Sequence, residues 1–146
     1  MRIPDFAIEI GAWMLETGHR IVLKLTGGRF PKRLARMQTL ELHTIGRKSQ
    51  LRRSTMLTAP LYAPDRLVVV ASKGGHSDHP DWYKNLAVNP DVEVTIGKDT
   101  RPMTARTASA DEKAVLWPQI VKAYRMYAGY QLNTKRDIPV VICTPR

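Results

Sequence analysis

Ser72, Lys73, Gly74 and Gly75 set a hydroxyl, an ammonium and two glycines in one string, directly after the apolar run Leu67 to Ala71. At the end of a strand these residue types can hold a polar ligand. Glycines let backbone come close to it, and successive backbone N–H groups in such a turn make an anion-binding nest. The same string also reads as a plain strand-to-helix turn. Asp81-Trp82-Tyr83-Lys84-Asn85-Leu86 and then Asn89-Pro90 follow, so two adjacent aromatic rings come soon after the turn.

Tyr124, Tyr127 and Tyr130 are spaced by three, with Trp117 a turn or two earlier. On a helix such tyrosines spread over about a third of the circumference. They read as a core seam with hydroxyls at its rim, or as an apolar wall whose hydroxyl tips serve a planar aromatic ligand. Cations are the third group. Arg47, Lys48, Arg52 and Arg53 surround one expected turn, Arg29, Lys32, Arg33 and Arg36 precede it, and the net charge is +10. That balance points to a polyanion, an anionic membrane surface or an acidic ligand, or else to a solvated basic face.

Other chemistries find less support. His76 and His79 are three apart with Asp78 and Asp81 nearby, but no recognised metal spacing is present. They read as loop histidines, and no metal is expected. The single cysteine, Cys143, excludes an internal disulfide and fits a reducing compartment; it reads as a core residue ending the run Ile138 to Ile142. Neither a G-x-S-x-G elbow nor a G-x-G-x-x-G or Walker loop occurs.

The elements that must position these groups follow from periodicity. Ile3, Phe6, Ala7, Ile10, Trp13 and Met14 mark one face of an N-terminal helix over residues 4–25, which Gly27-Gly28 ends. Pro31 to Met37 is a basic connector. Strands are expected at Leu40 to Thr44, Arg53 to Ala59, Arg66 to Ala71, Val92 to Ile96, Arg101 to Thr107 and Ile138 to Cys143. Gly46 to Gln50, Ala63 to Asp65 and Gly97 to Thr100 form turns. Helices are expected from Pro80 to Val88 and from Ala110 to Tyr127, the second opened by a capping box at Ser109 and Glu112. Short hairpin-linked strands with late helices predict an α+β fold, mainly β: a small antiparallel barrel or sheet with helices packed on it. No apolar run approaches the ~18–20 residues of a membrane span, and Met1 to Asp5 does not read as a signal peptide. A cytoplasmic location is expected.

Thr44-Ile45-Gly46-Arg47-Lys48-Ser49, Val70-Ala71-Ser72-Lys73-Gly74-Gly75, His79-Pro80-Asp81-Trp82-Tyr83-Lys84-Asn85-Leu86 and Asn89-Pro90 occur in the order seen in the deazaflavin-dependent nitroreductase and quinone reductase family of actinobacteria, which the chain resembles. Trp117 to Val121, the three tyrosines and Arg136 to Val141 are similar to that family too. The resemblance spans roughly residues 39–146. It implies a split β-barrel of the flavin reductase and pyridoxamine phosphate oxidase kind over 39–146, preceded by an amphipathic helix and connector over 1–38. It also implies coenzyme F-420, an 8-hydroxy-5-deazaflavin with a phosphate and an oligoglutamate tail, in preference to FMN. Carried over by position, Lys48 and Arg53, with Arg47 and Arg52, contact that anionic tail. Ala71, Ser72, Lys73 and Gly74 line the headgroup, with Asp81 and Trp82 near it. Ser72, Tyr124, Tyr127 and Tyr130 face the substrate.

The implied reaction is hydride transfer from the reduced deazaflavin to a quinone, nitroaromatic or enone. Ser72 and one tyrosine, Tyr127 foremost, hydrogen-bond the oxygen that gains charge. Gln50-Leu51, Thr58 and Asp81 depart from the family pattern. Two other readings stand beside it. One is a split-barrel protein that uses FMN, or holds a flavin, heme or fatty acid without turnover. The other is a nucleic-acid module, which lacks aromatics interleaved with Arg47 to Arg53 and is not expected. The N-terminal helix either covers the barrel or lies on a membrane surface; monomer and homodimer both fit.

Overall fold

Burial on both faces decides which segments become the central strands. The computed structural model describes residues 3–9, 33–34 and 37–146. A helical turn, α1 (residues 5–9), precedes β1 (Arg33–Leu34), β2 (Met37–Ile45), β3 (Arg52–Ala59), β4 (Leu61–Ala63) and β5 (Arg66–Val70). Then come α2 (Asp81–Val88), β6 (Asp91–Ile96), β7 (Asp99–Thr107), α3 (Ala110–Ala123), α4 (Met126–Leu132) and β8 (Val140–Pro145). One antiparallel sheet contains all these strands in the order β1-β2-β6-β7-β8-β5-β4, with β3 paired to β2. β2 pairs with β3 from Gln38↔Ala59 to Ile45↔Arg52 and with β6 across Glu41 to His43. The sheet curls into an antiparallel half-barrel, the α+β architecture expected.

The apolar run of β5 has no polar alternation because neither of its faces meets water. Leu67 and Val69 enter the barrel interior beside Leu40, Leu42, Val92, Val94, Val141 and Cys143. Val68 and Val70 enter an outer core beside Val140, Ile142, Leu116, Ile120 and Tyr127. Cys143 is fully buried, as expected, and burial pushes its thiol up to about 12.

The helix expected from Ala110 to Tyr127 is two helices. Tyr124 is extended, at φ −154° and ψ 105°, between α3 and α4. The apolar spacing of Ile120, Tyr124 and Tyr127 continues across this break and hides it from a periodicity count. β1 and β4 were not expected: two and three residues are too short to show a period. The Gly97-Lys98 turn is tighter than the four-residue turn expected, since Ile96 already pairs with Asp99; Gly97 supplies φ +61°. The last strand starts at Val140, not Ile138, and the N–H of Ala71 bonds the carbonyl of Pro139 at 2.9 Å. Beyond residue 9, the expected N-terminal helix and all of its connector except Arg33, Leu34 and Met37 lie outside the described residues.

The capping box forms as expected. Glu112 N donates to Ser109 Oγ at 3.1 Å, and Ser109 N to Glu112 Oε1 at 3.0 Å. Arg106 adds two bonds to the same carboxylate at 2.7 and 2.8 Å. Arg106, then the Ser109 N–H, lowers the Glu112 carboxyl from 4.5 to about 2. A depressed carboxyl contributes stability above its unfolded pKa and loses it as pH falls through the folded one. Glu112→Gln is therefore expected to melt below the wild type at neutral pH, and the gap is expected to close as pH drops from 4.5 toward 2. Thermal melts of both proteins across that range check this.

Candidate functional site

β5 leads through fully buried Ala71 to Ser72, which is 8 % exposed. The backbone then turns left-handed three times running, at Lys73 (φ +45°), Gly74 (+61°) and Gly75 (+84°). Space also demands the glycines. A Cβ on Gly74 would meet Ile8 Cγ2 at 2.9 Å, and one on Gly75 would meet the Tyr130 carbonyl at 2.8 Å. Lys73, with a side chain in this region, carries strain of about 1–2 kcal/mol. Gly75 N bonds Ser72 O at 2.9 Å and His76 N bonds Lys73 O at 3.0 Å. Among the described residues, the N–H groups of Ser72, Lys73 and Gly74 make no hydrogen bond, nor does the Ser72 hydroxyl. A buried hydroxyl and a row of donors without protein partners are costly unless something else accepts from them. Three such donors in a row can receive a group that carries hydrogen-bond acceptors.

Three elements hold the turn. From α1, Asp5 accepts from Ser77 N at 3.2 Å and Ser77 Oγ at 2.5 Å, while Glu9 meets His76 Nε2 at 2.8 Å and Lys73 Nζ at 3.5 Å. From the C-terminal end of α4, the capping Asn133 donates through Nδ2 to Gly75 O at 3.0 Å. From the segment before β8, the Arg136 guanidinium reaches Ala71, Ser72, His76 and His79. The two histidines are structural. Asp78 N donates to His76 Nδ1 at 2.9 Å, which leaves the proton on Nε2 facing Glu9. Burial, and then the Arg136 charge, lowers the pKa of His79 and keeps it neutral at ordinary pH. Among the described residues, no group of three or more His, Cys, Asp or Glu could hold a metal ion.

The basic cluster divides. Arg47 N and Nη1 both donate to Asn85 Oδ1, at 3.1 and 2.9 Å, and its Nη2 lies 3.4 Å from Asp81 Oδ1. Asn85, buried, donates in turn to Thr44 Oγ1 at 3.3 Å. Arg47 thus fastens the β2–β3 turn to α2. Arg52 faces Glu93 at 3.4 Å. Lys48 and Arg53 are exposed and have no ion-pair partner among the described residues, so they are the cations free to meet an anion. Lys73, the cation expected at the headgroup, already faces Glu9.

α2 bridges the two turns. At its start, Asp81 is exposed near Arg47 and Trp82 packs against the barrel core. The Tyr83 ring lies tilted against His79, with centroids 5.0 Å apart and 56° between their planes, and Lys84 Nζ pairs with Asp78 Oδ2 at 2.6 Å. These contacts bring the Gly46–Gln50 turn and the Ser72–His79 segment against one helix.

The tyrosines form an edge-to-face row, with centroids 5.4 Å apart for Tyr124 and Tyr127 and 6.0 Å for Tyr127 and Tyr130. Tyr127 belongs to the outer core, and its hydroxyl points to Met37 Sδ at 3.9 Å. Burial raises its phenol pKa, against a hydrogen bond with Thr58. Tyr130 is half-buried; burial, and then its bond with Tyr124, raise its pKa. Tyr127 and Tyr130 therefore stay protonated at neutral pH. The packing is that of the core seam: Tyr127 is buried in it, and Tyr124 and Tyr130 are its partly exposed rim. Arg136 and Asn133, which hold the turn, were not among the candidate site residues. Position alone, in the Arg136 to Val141 stretch, marked Arg136.

A family model described as F420H(2)-dependent quinone reductase matches residues 16–145. An F420H(2)-dependent quinone reductase of Mycobacterium tuberculosis is 40 % identical over 145 residues, with 94 % of both chains covered. A solved structure described as an F420-H2 dependent reductase superposes with a TM-score of 0.64 at 39 % identity, covering 72 % of this chain and 92 % of that one. Another, described as a domain-swapped dimer, gives 0.66 at 37 % identity over 90 % and 96 %. The chain belongs to the F420H(2)-dependent quinone reductase family.

Proposed function

We propose that this protein moves a hydride from reduced coenzyme F-420 to an electron-poor acceptor, a quinone foremost. The observation that carries this reading is the Ser72–Gly75 turn: a buried hydroxyl and three consecutive N–H groups with no protein partner among the described residues, packed against the α4 backbone at Tyr130. The deazaflavin, when bound, supplies a two-electron donor at its C5 carbon. Everything else is the work of this chain. Ser72, Lys73 and Gly74 N–H groups hold the headgroup's acceptor edge, with Ala71 and Trp82 as apolar neighbours. Lys48 and Arg53 hold the phosphate and carboxylate tail. Arg47 and Arg52 add to the positive charge near the tail although each has an acidic or amide partner, and Asp81 and Lys73 flank the headgroup. The Ser72 hydroxyl and the rim phenols of Tyr124 and Tyr130 donate to the acceptor oxygen as it gains charge, and Tyr127 braces both rings by its edge contacts.

The acceptor side has an apolar edge. Ile3 and Phe6 are exposed, and Ile3 N bonds Asn133 Oδ1 at 2.8 Å, beside exposed Leu132. A lipophilic quinone, or a membrane surface carrying it, suits that edge; nitroaromatics are the second acceptor class. No described helix is long and apolar enough to cross a membrane.

Titration with F-420, followed by its fluorescence with FMN in parallel, tests the reading: binding at micromolar or tighter with weak FMN binding is expected, and absence of F-420 binding overturns it. Arg53→Ala and Lys48→Ala are each expected to weaken F-420 binding about tenfold and to flatten its salt dependence. Tyr130→Phe is expected to cut kcat with a quinone by about 10- to 100-fold while moving the F-420 dissociation constant less than about twofold. A smaller loss is expected for Tyr127→Phe. Steady-state kinetics on both variants would show the reverse order if Tyr127 were the donor.

A further inference from the structure

We propose that Arg136 is the positioning residue of this site, the group that aims the Ser72 and Lys73 N–H donors at the cofactor. Its guanidinium uses Nε for His76 O at 2.9 Å and Nη2 for Ser72 O at 2.8 Å. Nη1 serves Ala71 O at 3.2 Å and His79 Nδ1 at 3.0 Å. Four acceptors spread over nine residues of chain thus converge on one planar fork, a pattern that a lysine cannot reproduce.

The consequence follows from peptide geometry. In a planar trans peptide the C=O and the next N–H point in opposite directions. Pinning Ala71 O toward Arg136 turns the Ser72 N–H away from it, and pinning Ser72 O turns away the Lys73 N–H. Those are two of the N–H groups without a partner among the described residues. The fork also neutralises the carbonyls behind a segment that is strained at Lys73.

Arg136 is itself fixed from both sides. Gln131 Nε2 donates to Arg136 O at 2.8 Å, and Gln131 Oε1 accepts from Ile138 N at 3.0 Å. Lys113 Nζ, from α3, reaches Gln131 Oε1 at 3.1 Å, Ile138 O at 2.7 Å and the Asp137 carboxylate. The helical layer that carries the tyrosines therefore sets the fork, and the fork sets the turn.

The proposal rests on the reading of this turn as a deazaflavin site, and its test separates the two. In cofactor-free protein, Arg136→Lys and Arg136→Gln are expected to shift the 1H–15N amide signals of Ser72, Lys73 and Gly74 while those of β2 and β3 hold. With F-420, both variants are expected to raise the dissociation constant about tenfold or more, with kcat at saturating cofactor within about threefold of wild type. Unmoved amide signals, or wild-type F-420 affinity in Arg136→Lys, would overturn the role. If Arg136→Gln fails to fold, Arg136→Lys, which keeps the charge and loses the fork, gives the answer alone. Wild-type protein that does not bind F-420 overturns the functional reading and leaves the amide test of the fork standing.

Discussion

The two-sided burial of β5 and β8 is the constraint on which the site depends. Val68, Val69, Val140 and Val141 face alternately into the barrel and into the helix-covered layer, and none is more than 1 % exposed. Each fully buried side chain of this kind contributes about 1.5–3 kcal/mol. Strain of about 1–2 kcal/mol at one left-handed lysine is small beside that. The strand pair can therefore carry a distorted turn at its end, and the distortion exposes donors that a regular strand would consume in its ladder.

Charge is divided by the same economy of position. A net charge of +10 is a poor guide to which cations meet a ligand. Arg47 is spent on Asn85 and Asp81, Arg52 on Glu93 and Arg106 on Glu112. Most of these pairs are exposed and contribute little stability individually. Their effect is on which cations stay unpaired. Lys48 and Arg53 keep their charge turned to solvent beside the α2 bridge, where an anionic tail can meet them.

Much of this was legible in the chain. Alternation located β2, β3, β6 and β7, and the continuous apolar run Leu67 to Ala71 marked β5, though not that both of its faces are covered. The capping box at Ser109 and Glu112 placed the start of α3. The glycine pair after Ser72 announced the turn. What escaped has a physical cause in each case. The break at Tyr124 leaves the apolar spacing intact. β1 and β4 are too short to show a period. The division of the arginines depends on Asn85, Asp81 and Glu93, which lie 34 to 41 residues away along the chain and meet them only through pairing of β2 with β6 and packing of α2. Position marked Arg136, but spacing could not state its task, because its four acceptors lie 57 to 65 residues earlier.

The protonation states complete the fit between site and chemistry. A hydride acceptor gains negative charge, so a protonated phenol beside it can donate a hydrogen bond, whereas a phenolate would oppose the step. Burial keeps Tyr127 and Tyr130 protonated, and the Tyr124 contact reinforces this at Tyr130. Burial, and then the Arg136 charge, keep His79 neutral, so no second cation builds up behind the turn. Lys73, the one ammonium within it, faces Glu9. The donors left at the turn among the described residues are thus the Ser72 hydroxyl and the N–H groups of Ser72, Lys73 and Gly74. Such neutral dipoles, already oriented by the fold, stabilise charge as it develops without holding a charged product in place.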